Sequence, residues 1–248
     1  MSIIAIIPAR YASTRFPGKP LVQINGKSML QRVYEQTAKA KLIDEILIAT
    51  DDERIAENGK TFGAKVVITK SDHPSGTDRC YEAYQLNKKI FDYVINVQGD
   101  EPFLDPQQID SLAKACDAHV EIATQMIKCN SHEVLFDTGE VKIVLNTNKE
   151  ALYFSRSVIP HIKGKQEKEW HLYFDYYRHV GMYAYRVDVL EKITKLKPSA
   201  LEKAESLEQL RWLEHGHKIT CIETLFDSHC IDTPEDIEKV LRLMQLNK

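Results

Sequence analysis

The sequence has no long apolar run. The one near its N-terminus, Ile3 to Ile7, is five residues long and is closed by Pro8. A signal peptide, or a membrane span of about 20 residues, needs far more. There is no C-x-x-C. The five cysteines, Cys80, Cys116, Cys129, Cys221 and Cys230, are odd in number and widely spaced, which argues against a disulfide framework or a zinc site and for reduced thiols in the cytoplasm. Positive charge is not in excess: the formal net charge is −3, so a nucleic-acid binder, which is normally basic over a whole face, is not expected. Two phosphate-binding signatures are missing as well. No G-x-G-x-x-G occurs, and Gly26-Lys27-Ser28 has Leu21 where the first glycine of G-x-x-x-x-G-K-[ST] would stand. Internal repeats and low-complexity tracts are also lacking.

Acidic residues are absent before Glu35, and in that acid-free stretch lies the most informative segment, Pro8-Ala9-Arg10-Tyr11-Ala12-Ser13-Thr14-Arg15-Phe16-Pro17-Gly18-Lys19-Pro20. Its cations Arg10, Arg15 and Lys19 have no internal partner and repel one another. A loop of this kind is most stable around a polyanion. At the mouth of a parallel sheet that polyanion is a triphosphate, met by converging backbone N–H groups and cationic side chains.

The patterning supports such a sheet. Residues 3–8, 45–50, 65–69, 92–98 and 120–127 are apolar and strand-like. Helical stretches follow at 28–40, 52–59, from the 71–79 loop to about Leu86, and at 106–117. Strict alternation predicts an α/β fold of Rossmann-like type, a mostly parallel sheet flanked by helices, with its ligand crevice outside the carboxyl ends of the strands. Between 128 and 186 the rhythm changes to extended segments at 140–146, 151–159 and 179–186, an antiparallel insertion rich in tyrosine and phenylalanine. Helices over 187–215, a strand at 218–224 and a final helix from Pro234 complete a chain read as one domain, 1–248, with 128–186 an inserted subdomain whose aromatic residues suit a core or a subunit interface.

Several polar residues fall at the strand ends. Asp100, after the 92–98 strand, is placed to hold Mg²⁺ facing the cationic loop, and Asp232 is the second carboxylate chosen, since Mg²⁺ takes one or two carboxylates with phosphate and water. Each has a simpler reading, a turn aspartate and a helix cap. Ser75-Gly76-Thr77-Asp78-Arg79 opens a helix with small residues that let a base approach the backbone. For a second substrate the insertion offers Arg156, His179 and Tyr183, and the later helix offers Glu208 and Gln209. A lone histidine beside an apolar strand is more often structural.

The Pro8–Pro20 segment resembles the opening motif of sugar-activating nucleotidyltransferases, and most closely that of the 3-deoxy-manno-octulosonate (Kdo) cytidylyltransferases. Ala9, Arg10, Ser13, Thr14, Arg15, Pro17, Gly18, Lys19 and Pro20 carry the likeness. It extends through Gln98-Gly99-Asp100-Glu101-Pro102, Ala151 to Arg156, Arg178-His179-x-Gly181-x-Tyr183, Leu207 to Arg211 and Asp232-Thr233-Pro234-Glu235-Asp236. The departures are Phe136 to Glu140, the 160–178 loop and Cys230-Ile231, where Gly-Val is usual.

The resemblance implies transfer of CMP from CTP to the anomeric hydroxyl of 3-deoxy-D-manno-octulosonate, giving CMP-Kdo and pyrophosphate for lipopolysaccharide synthesis. It implies Mg²⁺ on Asp100 and Asp232, and Arg10, Arg15 and Lys19 on the phosphates. The nucleotide would be bound by Ala9, Arg10, Ser75, Gly76, Thr77, Arg79 and Gln98, with the 75–79 segment and Gln98 reading the cytosine, and the sugar acid by Arg156, His179, Tyr183, Glu208 and Gln209. A homodimer in the cytoplasm is expected. The alternatives are an 8-amino-Kdo or sialic-acid-like acceptor, a sugar 1-phosphate, or a catalytically silent nucleotide-binding module.

Overall fold

The computed structural model describes residues 1–12, 16–227 and 230–246. The chain divides into two compact units, 1–114 with 226–248, and 115–225. The insertion expected at 128–186 lies inside the second.

The first unit begins with β1 (Ile3–Ala9). Ile3, Ile4, Ala5, Ile6 and Ile7 are all buried, as a strand covered on both faces requires. A two-residue hairpin follows, β2 (Gln23–Ile24) and β3 (Lys27–Ser28). Next is α1 (Met29–Thr37), which Ser28 caps by accepting the Gln31 N–H. β4 (Glu45–Thr50) leads into α2 (Glu53–Thr61), capped by Asp52. After β5 (Val66–Ile68), α3 (Gly76–Leu86) is capped by Ser75. β6 (Tyr93–Asn96) and α4 (Pro106–Ala115) follow. Four of these strands make a parallel sheet in the order β6-β1-β4-β5, and its ligand-facing edge is where β1, β4 and β6 end.

The second unit contains β7 (Ile122–Lys128), a short α5 (His132–Phe136), β8 (Lys142–Leu145), β9 (Ala151–Ser155) and β10 (Tyr177–Arg186). It continues through α6 (Val187–Ile193), α7 (Ala200–Glu205), α8 (Glu208–Glu214) and β11 (Ile219–Glu223). β10 runs antiparallel to both β7 and β8, and β9 is antiparallel to β8, as the hairpin reading of 140–159 expects. β11 is parallel to β7. The polar stretch before Trp170, featureless in sequence, is a 3₁₀ turn over Glu167–Leu172 that buries Trp170 in a cluster with Cys129, Leu135 and Tyr176.

The chain then returns to the first unit through α9 (Pro234–Leu246). Ile231, fully buried with Ile24 and Met29, anchors this return, and Phe16, Phe103, Ile237 and Leu241 pack around the trio. Burying one such aliphatic side chain contributes about 1.5–3 kcal/mol.

Candidate active site

Three turns of the first unit converge on one cleft of about 250 Å³. The turn after β1 contributes Pro8, Ala9 and Arg10. The entry to α3 contributes His73, Pro74, Ser75, Gly76 and Arg79. The turn after β6 contributes Gln98, Gly99 and Asp100. Lys19 and Pro20 come from the far side of the cationic loop, and Asp232 from the returning chain.

The main chain sets these positions. The loop closes on itself where the Gly18 N–H donates to the Tyr11 carbonyl, 2.9 Å away. Gly18 is left-handed at φ 72°, and a Cβ there would lie 3.1 Å from the Tyr11 ring. On the β6 side, a Cβ on Gly99 would lie 2.8 Å from the Pro8 carbonyl oxygen, so only glycine lets this turn approach the end of β1 so closely. The Ile231 N–H donates to the Asp100 carbonyl at 3.0 Å, and this bond fixes the returning chain beside the β6 turn.

Lys19 stands at the centre. Its ammonium lies 2.8 Å from an Asp100 oxygen and 3.2 Å from an Asp232 oxygen. Burial works against its charge, but the field of Asp100 and the hydrogen bond to it outweigh that, with Cys230 and Asp232 adding, and raise the lysine above its usual pKa. Asp232 lies just ahead of the terminal helix and also reaches the cleft. The N–H groups just ahead of the terminal helix, those of Asp232 and Thr233, donate to the Asp236 carboxylate at 3.0 and 2.9 Å, and an Asp232 oxygen accepts from Lys19. One donor atom from each of Asp100, Cys230 and Asp232 lies within 4.8 Å of the others. Two carboxylates already gathered around a cation are hard oxygen donors of the type Mg²⁺ takes, so these residues fit that ion.

The predicted nucleotide residues fall into distinct places. Arg10 is exposed at the cleft's rim, while Ser75, Gly76 and Gln98 line it. Arg79 also lines it, but its guanidinium is anchored, donating to Thr69 Oγ1 at 2.6 Å and lying 3.4 Å from Asp51. Thr77 is buried in the first turn of α3 and is not among the lining residues. Arg15 lies outside the described residues. Sequence reasoning missed His73, which lines the cleft and pairs with Glu82 of α3. Its place two residues before the helix cap was the available signal.

The sugar-acid candidates lie in the second unit. In a regular strand His179 and Tyr183 would stand about 13 Å apart. Here β10 bulges between Val180 and Tyr183, and the two ring centroids are 5.1 Å apart. Thr124 pins the bulge, donating toward the carbonyls of Met182 (2.9 Å) and Val180 (3.3 Å) and meeting His179 Nε2 at 2.9 Å. Desolvation among these rings lowers His179 to about 3, so it is neutral at working pH. Burial raises the Tyr183 phenol well above its usual pKa, with the charges of Tyr185, Glu208 and Cys221 adding and the Thr124 hydroxyl opposing as a hydrogen-bonding neighbour. Glu208 accepts from Arg211 at 2.9 Å, and Gln209 is buried beside it. Arg156 is occupied differently. Its Nε donates to the Glu205 carbonyl at 3.0 Å and its Nη1 to the Thr138 carbonyl at 3.3 Å, which ties the end of β9 to α7.

A parallel sheet whose carboxyl edge gathers cations, a capped helix start and two carboxylates defines a nucleotidyltransferase. The chain belongs to the cytidylyltransferase family, whose model matches residues 4–219. It is 55% identical to a 3-deoxy-manno-octulosonate cytidylyltransferase of Cytophaga hutchinsonii, over 97% of this chain and 96% of that one. It is 45% identical to an 8-amino-3,8-dideoxy-manno-octulosonate cytidylyltransferase of Shewanella halifaxensis, over 96% of each. Among solved structures it resembles a CMP:2-keto-3-deoxy-manno-octonic acid synthetase complexed with CTP. The TM-score is 0.91 and the identity 40%, with both chains covered in full.

Proposed function

We propose that the protein transfers the cytidylyl group of CTP to the anomeric hydroxyl of 3-deoxy-D-manno-octulosonate, releasing pyrophosphate, in the synthesis of lipopolysaccharide. The observation that carries this reading is Lys19 held between Asp100 and Asp232 at the end of a cleft whose other wall is the start of α3. Family membership and the named relatives support it.

In this reading Arg10 and Lys19, with Arg15, hold the β- and γ-phosphates and stabilise the departing pyrophosphate. The N–H groups at the start of α3 and Gln98 face the base and ribose. Asp100 and Asp232 hold Mg²⁺, which when bound neutralises charge on the phosphates. The sugar acid is met by His179, Tyr183, Glu208 and Gln209. Neutral His179 serves as a hydrogen-bonding group, and no side chain needs to form a covalent intermediate, because positioning and electrostatics suffice for transfer at phosphorus.

A homodimer is part of the proposal, supported by the exposed Leu152, Leu172, Tyr173 and Phe174 of the second unit; light scattering that returns a monomer would remove it. A cytoplasmic setting is supported by five thiols none of which is joined in a disulfide. Among the described residues no helix is long and apolar enough to cross a membrane.

The test is pyrophosphate release with Mg²⁺ and each pairing of CTP, ATP, GTP or UTP with Kdo, its 8-amino analogue or sialic acid. Release with CTP and Kdo is expected. Release with CTP and only another acid moves the acceptor, and no release from any pair leaves a nucleotide-binding module.

A further inference from the structure

The proposed reaction uses Lys19, Asp100 and Asp232 and leaves a fourth group at the same place without a part. Cys230 Sγ lies within 4.8 Å of a carboxylate oxygen of each aspartate, and those oxygens are within the same distance of each other. With metal–ligand bonds of about 2.0–2.3 Å, neighbouring donors around one ion stand roughly 3–4 Å apart, so small side-chain rotations bring all three onto a single centre. A cation already occupies the hollow: the Lys19 ammonium touches both carboxylates, at 2.8 and 3.2 Å. The donors also share a fixed frame, since the Ile231 N–H, between Cys230 and Asp232, is bonded to the Asp100 carbonyl. Cys230 itself is exposed, and an incoming ion can reach it.

We propose that Cys230 is a third ligand of this centre and makes it a binding site for thiophilic divalent cations of the zinc and cadmium class, in competition with Mg²⁺. The inference rests on the reading of Asp100 and Asp232 as the metal site. Mg²⁺ draws on oxygen ligands and keeps its water, so a thiol adds little to its binding. Zn²⁺ and Cd²⁺ accept thiolate together with carboxylate. On coordination the S–H proton passes to solvent, a sulfur–metal bond takes its place, and the Lys19 ammonium leaves the hollow; nothing is oxidised or reduced. An ion so held blocks the Mg²⁺ that turnover requires, and a chelator restores it.

The test is a Cd²⁺ titration of the full chain, followed by the thiolate-to-metal charge-transfer absorption in the ultraviolet. The wild type is expected to saturate at one Cd²⁺ per chain. Cys230→Ser loses the band and binds Cd²⁺ at least ~10-fold more weakly, and Asp232→Asn weakens it too. Should the serine variant melt at a lower temperature, Cys230→Ala replaces it. The proposal is overturned by a wild type without the band, by a band that survives in both variants and so sits on one of the buried thiols, or by equal Cd²⁺ affinity. A parallel Mn²⁺ titration by water-proton relaxation separates the two levels. Mn²⁺ bound alike by wild type and Cys230→Ser, with no Cd²⁺ band, removes the thiol alone. Mn²⁺ binding that survives Asp100→Asn with Asp232→Asn removes the carboxylate site beneath it.

Discussion

Replacing Lys19 by methionine separates two effects of opposite sign. The side chain keeps its length and loses its charge. Asp100 and Asp232, 25% and 38% exposed, then face each other with no cation between them. Two like charges within 4.8 Å repel by about 1 kcal/mol in water and by about 3.5 kcal/mol at an effective dielectric constant of ~20. Partial exposure favours the lower end, so a loss of about 1–2 kcal/mol of stability is expected. For a chain of this size that is a fall of roughly 2–8 °C in Tm. The same repulsion favours an added divalent ion, which no longer has to displace the ammonium. Mn²⁺ affinity without nucleotide should rise about tenfold, equivalent to about 1.4 kcal/mol, and saturating Mn²⁺ should restore Tm. Turnover moves the other way: losing a donor to the departing pyrophosphate lowers kcat by about 10²–10³-fold. Calorimetry with and without Mn²⁺, beside a pyrophosphate-release assay, reads all three quantities. Turnover near that of the wild type, or Mn²⁺ binding unchanged or weaker, would refute the placement of Lys19 between the carboxylates and the phosphates.

Three further outcomes are expected. Gly99→Ala forces a Cβ against the Pro8 carbonyl, so the β6 turn that carries Asp100 must shift; stability should fall by about 1–3 kcal/mol and turnover by at least ~10-fold, and a variant with wild-type melting and rate would show that the turn yields freely. Tyr183→Phe removes a buried hydroxyl whose hydrogen-bonding neighbour, Thr124, also bonds the carbonyls of Val180 and Met182, so Tm should change little while KM for the sugar acid increases; a clearly lowered Tm with unchanged KM would make the hydroxyl structural. His179, held near 3 by desolvation, binds fewer protons folded than unfolded; its contribution to stability is therefore complete above its ordinary pKa of 6.5 and declines as pH falls toward 3, and an NMR titration with a midpoint near 6.5 in the folded protein would contradict the neutral assignment.

The parallel half of the molecule was legible because its strands are largely apolar runs, and three of the four helices that follow them are opened by a capping side chain, Ser28, Asp52 or Ser75. Asp100 could be named because it stands just past β6, and Lys19 because the acid-free loop offers its charge no partner nearby in sequence. Other features depend on groups distant in sequence. Nothing near Trp170 reveals that it packs with Phe136 and His161, so its segment read as a plain loop. Arg156 offers a guanidinium suited to a carboxylate, and only folding shows two of its donors bonded to backbone carbonyls. The bulge at Val180 to Tyr183 leaves in sequence no more than Gly181, and without it the nearness of His179 and Tyr183 cannot be inferred. The place of Asp232 follows from the bond between Ile231 and Asp100, 131 positions apart by their residue numbers (231 − 100).

That bond has a consequence for biosynthesis. A ribosome releases residues 1–114 and then 115–225 before the segment from Phe226 onward that completes the first unit. A nascent chain can therefore form the four-stranded sheet and the α3 wall of the cleft while Ile24 and Met29 still lack their cover and Asp232 has not yet been made. The site is closed by residues translated after the whole second unit, so each polypeptide gains its second carboxylate only once residues 115–225 have been made. A message cut short before the codon for Phe226 yields a product that has the cleft's floor and lacks Asp232.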